Sequence, residues 1–166
     1  MRKNVTPVQQ GIRTVPYGLE SEFKAELAKM IKDGIIEKMN GPSSWLNSFV
    51  IVRKPSGKLR ICLDPKPLNE ALIQNYNSHV PYIESVTHRL AGHASITMSK
   101  VDVNKGFWHV PLSQDSQSLT AFGTPFGNFK YLRLPMGVNP ASKAFQQEMN
   151  REFNDLKASL LSRMMF

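Results

Sequence analysis

The stretch "WLNSFVIVRKPSGKLRICLD", residues 45–64, decides the architecture. Two apolar runs, roughly 46–53 and 58–64, flank "KPSGK", whose Pro-Ser-Gly suits a tight turn, so the stretch reads as a β-hairpin. Its turn end carries Arg53, Lys54, Lys58 and Arg60. Such a cluster is either a solvated edge that discourages strand pairing or a basic loop that closes over a phosphate. In the second case Arg60 supplies a planar fork of donors. These residues alone leave both readings open.

Working outward, residues 1–17 contain Pro7 and Pro16 and read as an extended lead-in. "LESEFKAELAKMIKDG" predicts a helix: Phe23, Leu27, Met30 and Ile31 share a face, acids crowd the first turn, and Gly34 can cap the end. Downstream, "PYIESVTHRLAG" predicts a short helix from Pro81 to Gly92. "SITMSKVDV" predicts a strand, then a turn through Asn104–Gly106 and a short strand "WHVPL". "LTAFGTPFGNFKYLRL" predicts a second hairpin turning through "TPFGN". The last element is a helix with Asn139 as N-cap and Pro140 at its first position. Its Phe145, Met149, Phe153, Leu156 and Leu160 form an apolar stripe that core packing accounts for. The fold class is α+β with a mainly antiparallel sheet.

The 166 residues are about one domain's worth, and 41% hydrophobic composition is enough to bury a core. Twenty-one Lys+Arg against thirteen Asp+Glu give a net charge of +8, which suits a polyanionic partner through counterion release. Cys62 stands alone, so no internal disulfide forms, and its strand-like flanks make it a small buried hydrophobe. "MRKNVTPVQQ" has no apolar segment after its basic start, so no signal peptide is expected, and no run reaches the roughly 18 apolar residues of a membrane span. His79, His88, His93 and His109 have no cysteine or acid at metal-ligand spacing and read as structural or surface residues.

Asp102, between two valines in "SKVDVNKGFWHVPL", is costly in a buried strand unless it is paired or bound. It is either an ion-pair partner of Lys100 or Lys105 or a metal ligand. A Mg²⁺ site uses one or two carboxylates together with substrate phosphates. In "YLRLPMGVNPASKAFQ" a strand enters Leu-Pro-Met-Gly before a helix, and Gly137 permits close approach of a backbone or ligand.

Taken together and in this order, "VRKPSGKLRICLDPKPLNEAL", "SKVDVNKGFWHVPL" and "TPFGNFKYLRLPMGV" resemble the reverse transcriptase of gypsy-type LTR retrotransposons. The likeness is to animal elements whose first catalytic block reads Asp-x-x-x-Gly-Phe-Trp. It runs from about Gly18 to Leu156, leaving 157–166 as a divergent tail.

The resemblance implies the fingers and first half of the palm of a right-hand polymerase. The basic hairpin becomes the fingers tip over the incoming deoxynucleotide. Arg60 then contacts its phosphates and Arg53 its γ-phosphate, or Lys54 does so if the tip slips by one residue. Asp64 is expected to be structural, and Lys66 and Asn69 to face the template strand. Asp102 matches the first catalytic aspartate, with the Val103 carbonyl offered to the same metal. Lys105 and Gly106 lie along the sugar and phosphates, and Phe107 is the steric gate against a ribose 2′-hydroxyl. Met136 and Gly137 occupy the nucleotide-contacting turn, where methionine makes a less specific contact than the family's glutamine or phenylalanine. "NPASKAFQ" departs from the family's Ser-x-Ala-Pro, so contacts of residues 139–142 are not carried over.

The implied cofactor is Mg²⁺, and the implied partners are an RNA template, a DNA primer and a deoxynucleoside triphosphate, with no membrane. A companion subunit is left open, and the cytoplasm or nucleus is the expected location. Two-metal phosphoryl transfer needs several carboxylates, and the family's other two lie on a Tyr-x-Asp-Asp hairpin. No Asp-Asp pair occurs in this sequence, and Asp155 falls on a helix. The expectation is therefore a truncated fragment, inactive alone. The alternative is a domesticated, non-catalytic module that binds nucleic acid.

Overall fold

The computed structural model describes residues 5–73 and 102–153. The decisive hairpin forms as its pattern requires. Strands β2 (Ser48–Arg53) and β3 (Leu59–Asp64) pair antiparallel from Ser48↔Asp64 to Arg53↔Leu59. Along β3, Leu59, Ile61 and Leu63 are buried while Arg60, Cys62 and Asp64 are partly exposed, the period-2 signature of a one-sided strand. Gly57, at φ +79°, closes the turn, and Lys54 N–H donates to the Lys58 carbonyl at 2.9 Å.

Upstream, α1 spans Glu20–Lys32 and ends in a Schellman motif. Gly34 is at φ +65°, its N–H donates to Ile31, and the Ile35 N–H donates to Met30. Phe23, Leu27 and Met30 are buried, but Ile31 is 44% exposed, which corrects the predicted face. At about 100° per residue Ile31 lies about 80° around the helix from Phe23, beyond the narrow stripe that this sheet covers.

The Schellman turn feeds a strand absent from the sequence reading, β1 (Ile36–Lys38). It pairs antiparallel with β5 (Gly127–Tyr131), which pairs with β4 (Phe122–Thr124), so this sheet runs β1-β5-β4. The second hairpin therefore stands as predicted. The two sheets are joined at Asn47, which is 2% exposed. Its N–H and side-chain amide both donate to Ala121, the amide also donates to Leu119, and its carbonyl accepts from Gly123. The core lies between α1 and the sheets, with Phe23 on Phe49 at 5.0 Å and Phe122 on Tyr131 at 5.4 Å. The lead-in is extended: Gln10 and Val8 pair with Leu46, and Arg13 reaches Asp64 at 2.5 Å.

Two short helices were not foreseen, α2 (Lys66–Ala71) and α3 (Gln114–Leu119). Each is six residues, too short for a periodic stripe to declare itself. Gly106–His109 forms a 3-10 turn where "WHVPL" predicted a strand. Strand character survives only farther on, where Leu112 N–H donates to Leu132 and Leu134 N–H to Val110. The final helix, α4, is Ala141–Phe153. Pro140 rather than Asn139 is its N-cap, because the Pro140 carbonyl accepts the first helical bond from Ala144. Phe145, Met149 and Phe153 are only half-buried, whereas Ala141 and Gln146 are buried, so the predicted stripe is not a plain core face. The Pro81–Gly92 helix, the strand up to Val101, Leu156, Leu160 and the tail lie outside the described residues. Asp102 and Val103 themselves carry no strand structure.

Candidate active site

The outer face of the first hairpin carries Val50, Val52, Arg60 and Cys62, because the inner face spends its alternate residues on the core. Arg60 is half-buried and its guanidinium donates to the Met136 sulfur, 76 residues away. Two of the three sequence blocks thus meet. Beneath them, Arg60, Cys62, Trp108, Tyr131 and Met136 enclose a gap of about 10 Å³, room for one water at most. Burial pushes the Tyr131 hydroxyl well above its ordinary pKa, Cys62 adds to the shift and the Arg60 charge opposes it.

At the tip, Arg53 donates to the Gly57 carbonyl at 2.8 Å and lies 3.5 Å from Glu22 of α1. The tip is thereby tied to α1, while Lys54 and Lys58 stay exposed.

Asp102 and Val103 are exposed. The Val103 carbonyl accepts from Gly106 N–H at 3.2 Å, closing a turn in which Lys105 adopts φ +55°. Lys105, expected near Asp102 in one reading, pairs instead with Asp33 at 3.7 Å and lies over the Trp108 ring. Gly106 is where α4 presses closest: a Cβ there would sit 2.8 Å from the Phe145 ring. Phe107 packs on the same ring, centroids 5.2 Å apart. Among the described residues no three His, Cys, Asp or Glu side chains converge as a metal site.

Gly137, at φ +97°, packs over the β3–α2 junction, where a Cβ would meet the Leu63 carbonyl at 3.3 Å. Asn69 of α2 donates to the Gly137 carbonyl and accepts from Asn139 N–H, both at 2.8 Å. Lys66 is exposed at the start of α2. Sequence reasoning missed Glu22, Asp33, Tyr131 and Phe145 as supports, because each acts through a contact distant in sequence. Only the aromatic at 145, in a helix following the Gly137 turn, offered a signal.

The family profile described as Reverse transcriptase (RNA-dependent DNA polymerase) matches residues 52–165, more than half of the chain. The chain belongs to the reverse transcriptase family. It is 32% identical over 157 residues to the Caenorhabditis elegans protein K02A2.6, covering 93% of this chain and 12% of that protein. It is 30% identical over 135 residues to the retrovirus-related Pol polyprotein from transposon 297 of Drosophila melanogaster, covering 79% of this chain and 12% of the polyprotein. The chain thus spans a small part of these relatives' length. Among solved structures, the prototype foamy virus protease–reverse transcriptase superposes with a TM-score of 0.76 at 20% identity, covering 96% of this chain and 21% of that one. The foamy viral enzyme in complex with an RNA/DNA hybrid gives 0.71 at 21% identity, with the same two shares. The fold is therefore that of polymerase fingers and palm, and the chain is a reverse transcriptase segment of the kind found in retroelement polyproteins.

Proposed function

We propose that this segment forms the nucleotide-facing fingers and first palm half of an RNA-directed DNA polymerase that extends a DNA primer on an RNA template. The observation that carries the reading is Arg60 meeting Met136, which brings the basic hairpin and the "LPMG" turn to one face. On that face Arg60, with Arg53 or Lys54 from the tip, binds the triphosphate of the incoming deoxynucleotide through charge-assisted hydrogen bonds. Lys105 and Gly106 follow its sugar and phosphates through the backbone, and Phe107 crowds a 2′-hydroxyl. Met136 and Gly137 border the base, and Lys66 meets the template backbone. The foamy viral relative solved with an RNA/DNA hybrid supports this choice of partner, as does the +8 charge.

Mg²⁺ is the cofactor that such a reaction uses. The described residues do not by themselves fit a two-ion site: Asp102 supplies one carboxylate and Val103 one carbonyl, already accepting from Gly106. One acid cannot offset two divalent charges, so no step is assigned through the metal here. We accordingly propose that the 166-residue chain alone binds duplex and nucleotide without catalysing extension.

Primer extension on an RNA template with Mg²⁺ or Mn²⁺, run beside duplex binding at several salt concentrations, tests both parts. Binding of an RNA–DNA duplex is expected to weaken steeply with salt, and the slope to shrink by about one per cation removed at Arg53 or Lys54. No binding even at low salt would refute the polymerase reading. Incorporation abolished by Asp102→Asn would overturn the inactivity of the isolated chain. Salt-dependent duplex binding with no affinity for deoxynucleotide would favour the non-catalytic binding module instead.

A further inference from the structure

The geometry points to Asn69 as a positioning residue that fixes the nucleotide-facing turn, rather than as a contact to template. This assignment rests on the polymerase reading for its functional consequence, but the clamp itself does not. Both polar atoms of the side chain are committed to residues 68 and 70 positions away: Nδ2 donates to the Gly137 carbonyl, and Oδ1 accepts from the Asn139 N–H, each at 2.8 Å. A carbonyl can only accept and a backbone N–H can only donate, so one primary amide satisfies both in one orientation.

The clamp is mounted on a fixed base. The Asn69 N–H donates to the Pro65 carbonyl, and the same short helix is pinned by Leu68 and Ala71, 1% and 4% exposed, in a cluster with Trp45. Pro65 also forms part of the surface under Gly137, whose φ of +97° and 3.3 Å approach to the Leu63 carbonyl would strain any side chain there. Arg60 also holds Met136. The turn from Met136 to Asn139 is thus gripped by the Arg60 guanidinium, by the Leu63 carbonyl and Pro65 ring against Gly137, and by the two-pronged Asn69 amide, all from the 60–69 stretch. Asn139 and Pro140 are the central residues of a turn closed by the Ala141 N–H donating to the Val138 carbonyl at 2.9 Å. Held in this way, the side chain keeps one N–H and one lone pair, and its orientation is set by the turn rather than by a template strand.

The test uses the full chain with Asn69→Leu, close in shape but lacking both bonds, and Asn69→Asp, which keeps the acceptor for Asn139 and loses the donor. Amide exchange followed by NMR should show the Asn139 N–H exchanging about tenfold faster in Asn69→Leu and near the unaltered rate in Asn69→Asp. Amides of β3 and β5 should stay protected in both, showing that the fold is kept. With an RNA–DNA template-primer and a complementary deoxynucleoside triphosphate as probes, Asn69→Leu should weaken nucleotide binding about tenfold and leave duplex affinity unchanged. Unchanged Asn139 exchange in Asn69→Leu would overturn the clamp. Weakened duplex binding with intact nucleotide binding would return Asn69 to the template. If the unaltered chain binds no nucleotide, the polymerase reading and the turn's nucleotide role fall together, while the exchange result still decides the clamp.

Discussion

Replacing Gly106 by alanine probes the contact on which the Asp102–Phe107 segment rests. The added methyl carbon would lie 2.8 Å from Cζ and 3.0 Å from Cε2 of Phe145, inside any normal carbon–carbon contact. Gly106 is not among the positive-φ glycines, so alanine meets no backbone penalty there. Reduced freedom of the unfolded chain should even favour it by about 0.4–1 kcal/mol. Against that stands overpacking, which costs about 1–3 kcal/mol where neighbours must shift. The Phe145 ring is half-buried and can move in part, so a net loss of about 1–2 kcal/mol is expected. That corresponds to about 2–8 °C in Tm for a domain of this size. The decisive assay is a double-mutant cycle in urea with Phe145→Ala, which removes the obstructing ring. Gly106→Ala should become neutral or slightly stabilising in that background. Because Phe107 packs on the same ring at 5.2 Å, the single variant should also shift the Phe107 ring resonances. An equal cost in both backgrounds would refute the claim that Phe145 reads the size of residue 106.

Asn47→Ala should cost about 2–4 kcal/mol by urea unfolding, since it strips the side-chain bonds to the Leu119 and Ala121 carbonyls at a 2% exposed joint; a loss under 0.5 kcal/mol would show that the joint is not needed. For Tyr131 the folded pKa is raised above the unfolded value near 10, so folded and unfolded states bind the same proton below that pH. Above it the unfolded chain releases the proton first, so stability should fall as pH rises past about 10, and Tyr131→Phe should flatten that arm of the profile. An unchanged slope in Tyr131→Phe would assign the alkaline loss elsewhere.

What could be read in the sequence was whatever repeats over a short span. The hairpin at 48–64 shows its alternation and its Gly57 turn within seventeen residues, and α1 shows its Phe23–Leu27–Met30 stripe and glycine stop within one helix. What stayed hidden is settled by partners distant in the chain. β1 is three residues long and exists because Tyr131 and Phe129 offer it an edge. Ile31 looks as apolar as Met30, and only the width of the covering sheet exposes it. The basic tip, the 102–107 block and the Met136–Gly137 turn were each legible as a motif. That Arg53 is tied to Glu22 and Lys105 to Asp33 was not, because an exposed acid on a helix gives no sign of which cation will reach it.

Those two ion pairs suggest how the site is suspended. Glu22 is in the first turn of α1 and Asp33 caps its end, so one helix touches the fingers tip at one end and the 102–107 turn at the other. The pairs are half-exposed and individually worth well under about 1 kcal/mol, too little to hold either loop in place. The rigid holds are apolar or backbone-directed: Gly106 and Phe107 against Phe145, Gly137 against Leu63 and Pro65, and Asn69 across Gly137 and Asn139. The contrast divides the face by stiffness. The Met136–Asn139 turn and the turn that carries Phe107 are packed in place, whereas Arg53 and Lys105 are tied to α1 by weak, salt-screened pairs. Under the proposed function, an incoming triphosphate would take Arg53 from Glu22 at little cost. Displacing Asn69 or Gly106 would cost more, because it would break two hydrogen bonds to backbone at the first and the packing on Phe145 at the second.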